Sequence, residues 1–307
     1  MTCRRLRAAA ATAAALTLAA TACGSDDPAS NGADVPVVYV TTGILGDITA
    51  NVVGDLAEVE VVLPPGADPH DYEPSAQQVA AMTDADLVIA NGLGLEGGLE
   101  ATLDTVEEAG VPVVEIAPEL APIPFGDDGG SEDPHVWMDP DRMVTATERI
   151  ATEVAAATGI DPAVLTQQAE DYAAEITAAD EEIQSRLAAV PDDRRTLVTS
   201  HEAFGYFAER YAFEIIGVVI PGGSTTAEPS AAAIAELAEA MAAAGVPAVF
   251  TDSSGSPELA EALAAEVGGD VEVVELYSES LGEPGSGADT YLGLITTNAE
   301  RIASALT

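Results

Sequence analysis

Three histidines stand in this 307-residue chain, His70, His135 and His201. Two share a tripeptide, Asp68-Pro69-His70 and Asp133-Pro134-His135. The second of these opens the stretch Asp133-Pro-His-Val-Trp-Met-Asp-Pro140, which also holds the only tryptophan, Trp137. The third histidine lies in Leu197-Val-Thr-Ser-His-Glu202. Imidazole nitrogen is a good donor to zinc and an acceptable one to manganese, nickel and copper. A proline ahead of His70 and of His135 stiffens the backbone and lowers the entropy lost on ordering a ligand loop. No His-x-x-x-His or Cys-x-x-Cys spacing occurs, so neither a metalloprotease motif nor a zinc finger is present. Two readings stand at this point: isolated loop histidines at a surface, or three imidazoles brought by the fold to one divalent cation.

The elements around them decide whether they can meet. Short Val- and Ile-rich runs alternate with helical patterns: strands at 37–40, 59–63, 86–91 and 111–116, helices at 43–53, 75–82 and 95–109. After residue 190 the pattern restarts, with strands at 196–199, 214–220, 248–251 and 271–276 and helices at 203–211, 230–244, 257–267 and 290–305. Such alternation predicts an α/β fold of two lobes, each with a parallel sheet flanked by helices. Ligands in such folds gather at the carboxyl ends of the strands, and each histidine follows an expected strand or a proline-stiffened turn. Between the lobes, Asp161-Pro162 can start a helix and Pro191 closes it. Leu165, Ala169, Tyr172, Ile176, Ala179, Ile183 and Leu187 form its apolar stripe. With no glycine and no internal proline it reads as one long rigid helix joining the lobes. The expected boundaries are 35–160 for the first lobe, 161–190 for the joining helix and 191–307 for the second lobe.

Composition narrows the partners. There are 53 acidic and 10 basic residues, a formal charge of −43, and every basic residue is arginine. Little would neutralise phosphates, so nucleic acid is excluded as a partner, and a membrane would be met through an anchor only. A hydrophobic content of 48% supports a packed core rather than a disordered chain. The two cysteines, Cys3 and Cys23, both lie near the N-terminus, which leaves no thiolate for a metal or a nucleophile in the folded part.

That N-terminus reads as an address. Arg4, Arg5 and Arg7 precede an Ala/Leu/Thr run from Ala8 to Ala22, too short to span a bilayer and right for an export signal over residues 1–22. Ala20-Thr21-Ala22-Cys23 resembles a bacterial lipobox with Cys23 as the lipidated residue, although leucine is usual where Ala20 stands. The small, polar residues 23–34 then form a flexible tether.

Four motifs together resemble the metal-specific solute-binding proteins of ABC importers, the zinc and manganese type known as cluster 9. They are Asp68-Pro-His-Asp-Tyr-Glu-Pro-Ser75, Asp133–Pro140, Leu197-Val-Thr-Ser-His-Glu-Ala-Phe-Gly-Tyr-Phe207 and Tyr277-Ser-Glu-Ser-Leu-Gly282. The resemblance covers essentially the whole chain beyond the export signal. It implies that His70, His135 and His201 ligate a metal. The fourth ligand it implies is Glu279, where the family usually carries Asp; the carboxylate is kept on a side chain one methylene longer. Asp252 falls where relatives place a nearby carboxylate, which implies that it orients a histidine. The implied function is capture of a divalent cation between the lobes, outside the cytoplasmic membrane, and delivery by a monomer to an ABC permease and its ATPase.

Three imidazoles and a carboxylate favour Zn2+, with Mn2+ second, because manganese sites of the family are richer in oxygen. Against this, the segment from Ala121 to Glu132 lacks the histidine-rich loop frequent in zinc-dedicated relatives. Two other functions compete. A binding protein for an iron chelate or haem shares the helix-joined build but needs aromatics or arginines in a broad cleft, and aromatic content is 4%. A metal-dependent hydrolase needs an open metal position, and the chain has no Gly-x-Ser-x-Gly elbow. No enzymatic activity is expected.

Overall fold

Val37–Val40, the strand β1, is where the first sheet begins, with Val38 and Val40 wholly buried. The computed structural model describes residues 35–125, 130–221, 225 and 229–307. The export signal, the tether and Cys23 therefore lie outside the described residues. β1 pairs in parallel with β2 (Glu58–Val61) and β3 (Leu87–Ala90), and β3 with β4 (Val113–Glu115), giving the order β2-β1-β3-β4. The second sheet repeats the plan: β5 (Thr196–Thr199), β6 (Glu214–Val218), β7 (Ala248–Asp252) and β8 (Glu272–Leu276) stand in the order β6-β5-β7-β8, all parallel. In each sheet the chain reverses direction of winding at the first strand, and the loops beyond the carboxyl ends part there to leave a crevice.

The helices start where their capping residues direct. Thr42 caps α1 (Gly43–Val53), Ser75 and Gln78 form a capping box on α2 (Ala76–Met82), and Ser230 caps α7 (Ala231–Ala244). Asp139 caps α4 (Pro140–Thr158) with Pro140 in its first turn. α3 (Glu100–Glu108) is shorter than the helix expected from residue 95, because 95–99 form turns around Gly97 and Gly98, which favour helix poorly. β4 likewise starts after Pro112, which has no N–H to give to a ladder. The remaining helices are α6 (Gly205–Tyr211), α8 (Glu258–Val267) and α9 (Tyr291–Leu306).

α5 (Pro162–Leu187) is an unbroken helix of 26 residues, about 39 Å at roughly 1.5 Å per residue. It packs on α1 and α4, which precede it, and on α9 at the end of the chain. Its buried face follows the apolar stripe with one exception, since Asp180 is buried in place of Ala179. Asp180 accepts from Arg210 Nε at 2.9 Å, from Tyr211 at 2.7 Å and from Gln184 at 2.7 Å.

One apolar cluster runs through the middle of the molecule and takes in Ile48 of α1, Ile150 of α4, Ile176 of α5 and Ile295 of α9. Two smaller clusters fill the outer faces, around Met82, Val88 and Leu99 on the first sheet and around Val198, Met241 and Leu263 on the second. Each sheet is thus buried on both sides, as all-parallel sheets require. Because the two sheets share the middle layer, residues 35–307 pack as one unit.

Candidate metal centre

The loops that leave the strands carry the histidines to one place. His70 follows β2, His135 follows the β4 connection, His201 follows β5, and Glu279 follows β8. The two Asp-Pro-His segments fold alike. Asp68 Oδ1 accepts from the backbone N–H of His70 at 2.9 Å, and Asp133 Oδ1 accepts from that of His135 at 2.9 Å. In each, the aspartate closes a tight turn that the proline has already half set. At His135 the aspartate does more, because the same oxygen lies 2.7 Å from the ring Nδ1. An Nδ1–H donated to Asp133 leaves Nε2 as the free donor atom, turned toward the other ligands.

His135 is wholly buried, and the 3-10 turn Val136–Met138 follows it directly, with Trp137 and Met138 packed beneath. His201 is held from behind by Thr199, whose hydroxyl donates to the His201 carbonyl at 2.8 Å. The Glu279 loop is gripped on both flanks from the first half of the chain. Trp137 Nε1 donates to Ser278 O at 2.9 Å, and Gly66 N donates to Ser280 Oγ at 2.9 Å.

The outcome is a cage of ionic size. Glu279 Oε1 lies 2.5 Å from His201 Nε2 and 3.4 Å from His135 Nε2, and Oε2 lies 3.7 Å from His70 Nε2. One donor atom from each of the four residues falls within 4.8 Å of every other. Zinc bonds of about 2.0–2.1 Å in a tetrahedron call for donors about 3.4 Å apart, so small side-chain rotations bring the set to that geometry. His70 Nε2, His135 Nε2 and Glu279 Oε2 are buried and have no hydrogen-bond partner. Buried polar atoms are nearly always paired, and three that converge on one point match the needs of a cation.

Charge in the cage is balanced between neighbours. Burial raises the Glu279 carboxyl, but His135 and His201 outweigh it and hold the group well below its ordinary range. Burial lowers His135, yet the charge of Glu279, 3.4 Å from its Nε2, and the hydrogen bond to Asp133 carry it up to about 10. His70 goes the other way: burial lowers it, and Glu279 only partly opposes. The metal-free protein thus holds an imidazolium–carboxylate pair at His135 and Glu279, with His70 neutral beside it.

All four residues expected to form the site come together. Asp252, expected to orient a histidine, has other partners: it accepts from Ser278 N at 2.9 Å and from the Ser278 hydroxyl, and from Ser254 N at 2.7 Å. It fixes the loop that carries Glu279, because the carboxyl end of β7 sits against that loop. The acid that orients a histidine is Asp133, and its signal was available in the repeated Asp-Pro-His. Glu202 lies outside the cage, half-buried beside a cavity of about 350 Å³ bounded by Phe125, Asp133, Gly205 and Ile215.

Two parallel-sheet lobes with an ion-sized His3Glu cage at the carboxyl ends of their strands define a cleft-type binding protein with a cation-sized site. The family described as zinc-uptake complex component A, periplasmic (ZnuA), matches residues 38–305, and the chain belongs to it. It is 31% identical over 296 residues to the manganese-binding lipoprotein MntA of Bacillus subtilis, covering 94% of this chain and 96% of that one. It is 32% identical over 289 residues to the zinc-binding protein TroA of Treponema pallidum, covering 92% of each. The structure of the periplasmic zinc-binding protein TroA superimposes with a TM-score of 0.83 at 30% identity, over 89% of this chain and 99% of that one.

Proposed function

We propose that this chain is the extracytoplasmic solute-binding component of an ABC importer for a divalent transition metal, zinc first and manganese second. The observation that carries it is the convergence of buried, unpartnered atoms of His70, His135 and Glu279 beside His201. These four residues are the proposed ligands, and the ion is cargo rather than a resident cofactor. As the cation binds, His135 loses its Nε2 proton to the surrounding water, Glu279 exchanges its imidazolium partner for the metal, and Asp133 keeps the His135 ring oriented. Three imidazoles and one carboxylate form a closed set that suits zinc, and the intrinsic order of affinities places zinc above manganese.

The lobes stay close throughout. The shared apolar middle, the unbroken α5 and the bonds at Trp137–Ser278 and Gly66–Ser280 support small movements of the ligand loops rather than wide opening. The same closeness argues against an iron chelate or haem, which needs a wide cleft. The proposed division is 35–160 and 191–307 for the lobes with 161–190 as the joining segment. Residues 1–22 act as the export signal and Cys23 as the lipid anchor, in keeping with the lipoprotein named among the relatives. The loaded monomer docks on a permease driven by an ATPase; no catalysis is assigned to it.

Elemental analysis after loading with zinc or manganese tests the reading, with His135→Ala as the control. About one ion per wild-type chain and a clear loss in the variant are expected. Substoichiometric metal in both proteins overturns it.

A further inference from the structure

Between β3 and α3 three consecutive residues have positive φ: Gly92 (85°), Leu93 (57°) and Gly94 (78°). Glycine adopts that region freely, but a leucine there is strained and stays only where neighbouring contacts hold it. The holder is Glu96, whose side chain is buried at 3% exposure. Its carboxyl group is met by three hydrogen-bond donors. Thr41 Oγ1 donates to Oε1 at 2.6 Å, Asn91 N donates to Oε1 at 2.7 Å, and Gly92 N donates to Oε2 at 3.0 Å. Burial pushes this carboxyl above its ordinary range, and the three donors oppose that shift while fixing the side chain in place.

Ion capture does not use this acid directly, yet the segment it shapes touches both Asp-Pro-His loops. The Asn91 side-chain amide, buried with its residue, donates to Pro134 O at 3.0 Å, the carbonyl immediately ahead of His135. At the other end, Gly98 runs so close beneath the first loop that a Cβ on it would stand 2.3 Å from Tyr72 O. A Cβ on Gly97 would stand 3.5 Å from His70 O. Asn91–Gly98 is therefore in contact with the backbone of both first-lobe ligand loops.

We infer that Glu96 is a positioning residue for ion capture, locking Asn91–Gly98 into the shape that sets the spacing of His70 and His135 before the cation arrives. The inference rests on the proposed His70, His135, His201 and Glu279 site and supplies its preorganisation. A support of this kind acts first on the two histidines whose loops it touches, which separates it from a general structural role.

The test is the zinc Kd of the full chain, by chelator competition, for Glu96→Gln alone and combined with His135→Ala or His201→Ala. Glutamine keeps the shape but turns an NH2 group toward the Gly92 N–H. Glu96→Gln weakens zinc binding about tenfold, as loss of an outer support to a metal ligand does. The same factor persists in the His201→Ala background and shrinks toward one in the His135→Ala background. Asn91→Ala leaves the three Glu96 bonds in place and carries the same prediction if Glu96→Gln fails to fold. Unchanged affinity, or an equal factor in every background, overturns the positioning role. A His135→Ala protein that binds zinc like the wild type overturns the site as well, so the two failures are distinct.

Discussion

Trp137 donates its indole N–H to the carbonyl of Ser278 across 2.9 Å, and so ties the His135 loop to the Glu279 loop. The only tryptophan of the chain is a fastener between residues 141 positions apart. Trp137→Phe keeps most of the buried ring but leaves Ser278 O without its donor, a cost of about 1–3 kcal/mol for a buried group. Because the loosened loop carries a ligand, release of zinc to a chelator should quicken about tenfold or more. Stopped-flow competition reads this directly, and an unchanged release rate contradicts the role given to the bond.

Glu279 reaches the histidines with one methylene more than the aspartate usual in the family. Its loop cannot follow a shorter side chain inward, since Ser278 and Ser280 are both bonded to the first half of the chain. Glu279→Asp should therefore weaken zinc about tenfold, or about 1.4 kcal/mol. A Kd equal to that of the wild type would mean that the loop is free to move.

The pH response of the metal-free protein follows from the His135–Glu279 pair. His135 rises from 6.5 to about 10 on folding, so its contribution is complete below about pH 6.5 and is lost as pH climbs toward 10. Glu279 is lowered, so its contribution is complete above its unfolded value of 4.5 and is lost as pH falls below it. Thermal melts should show the greatest stability of the metal-free chain between these limits, with the alkaline decline absent in His135→Ala. Zinc must also displace the His135 proton, so calorimetry in buffers of different ionisation enthalpy should find about one proton released per ion near pH 7. No proton release at that pH contradicts the pair.

Asp180 is a buried acid in the helix that packs against both halves of the molecule, and it holds Arg210 and Tyr211 of α6. Asp180→Ala orphans those partners. The expected loss is about 2–3 kcal/mol, somewhat under the usual cost of breaking a buried pair, because Arg210 keeps Asp139 at 3.3 Å. Urea unfolding measures this, and zinc affinity should change little, since Asp180 touches no ligand.

Much of this was legible in the sequence, for local reasons. β1, α1 and β5 lie where the apolar runs and the capping residues put them, because those signals act within a few residues of chain. The histidines were visible because they are rare and two share a motif. What escaped depended on contacts distant in the chain. Glu96 falls inside the helix expected from residue 95 and carries no signal of its own, yet its donors at the ends of β1 and β3 make it a buried anchor. Asp180 sat beside a stripe whose neighbouring Ala179 fitted the pattern equally well, and only Arg210, 30 positions later, decides which side is inward. Asp252 bonds Ser278 and Ser254, partners set by where the β8 loop lands rather than by any local signal.

The ligand set is the central claim, and X-ray absorption at the zinc edge of the loaded full-length protein tests it most directly. Three imidazole nitrogens and one carboxylate oxygen at about 2.0–2.1 Å are predicted, with one imidazole lost in His135→Ala and the carboxylate replaced in Glu279→Ala. A zinc shell made mainly of water and carboxylate oxygens, unchanged in either variant, would contradict it.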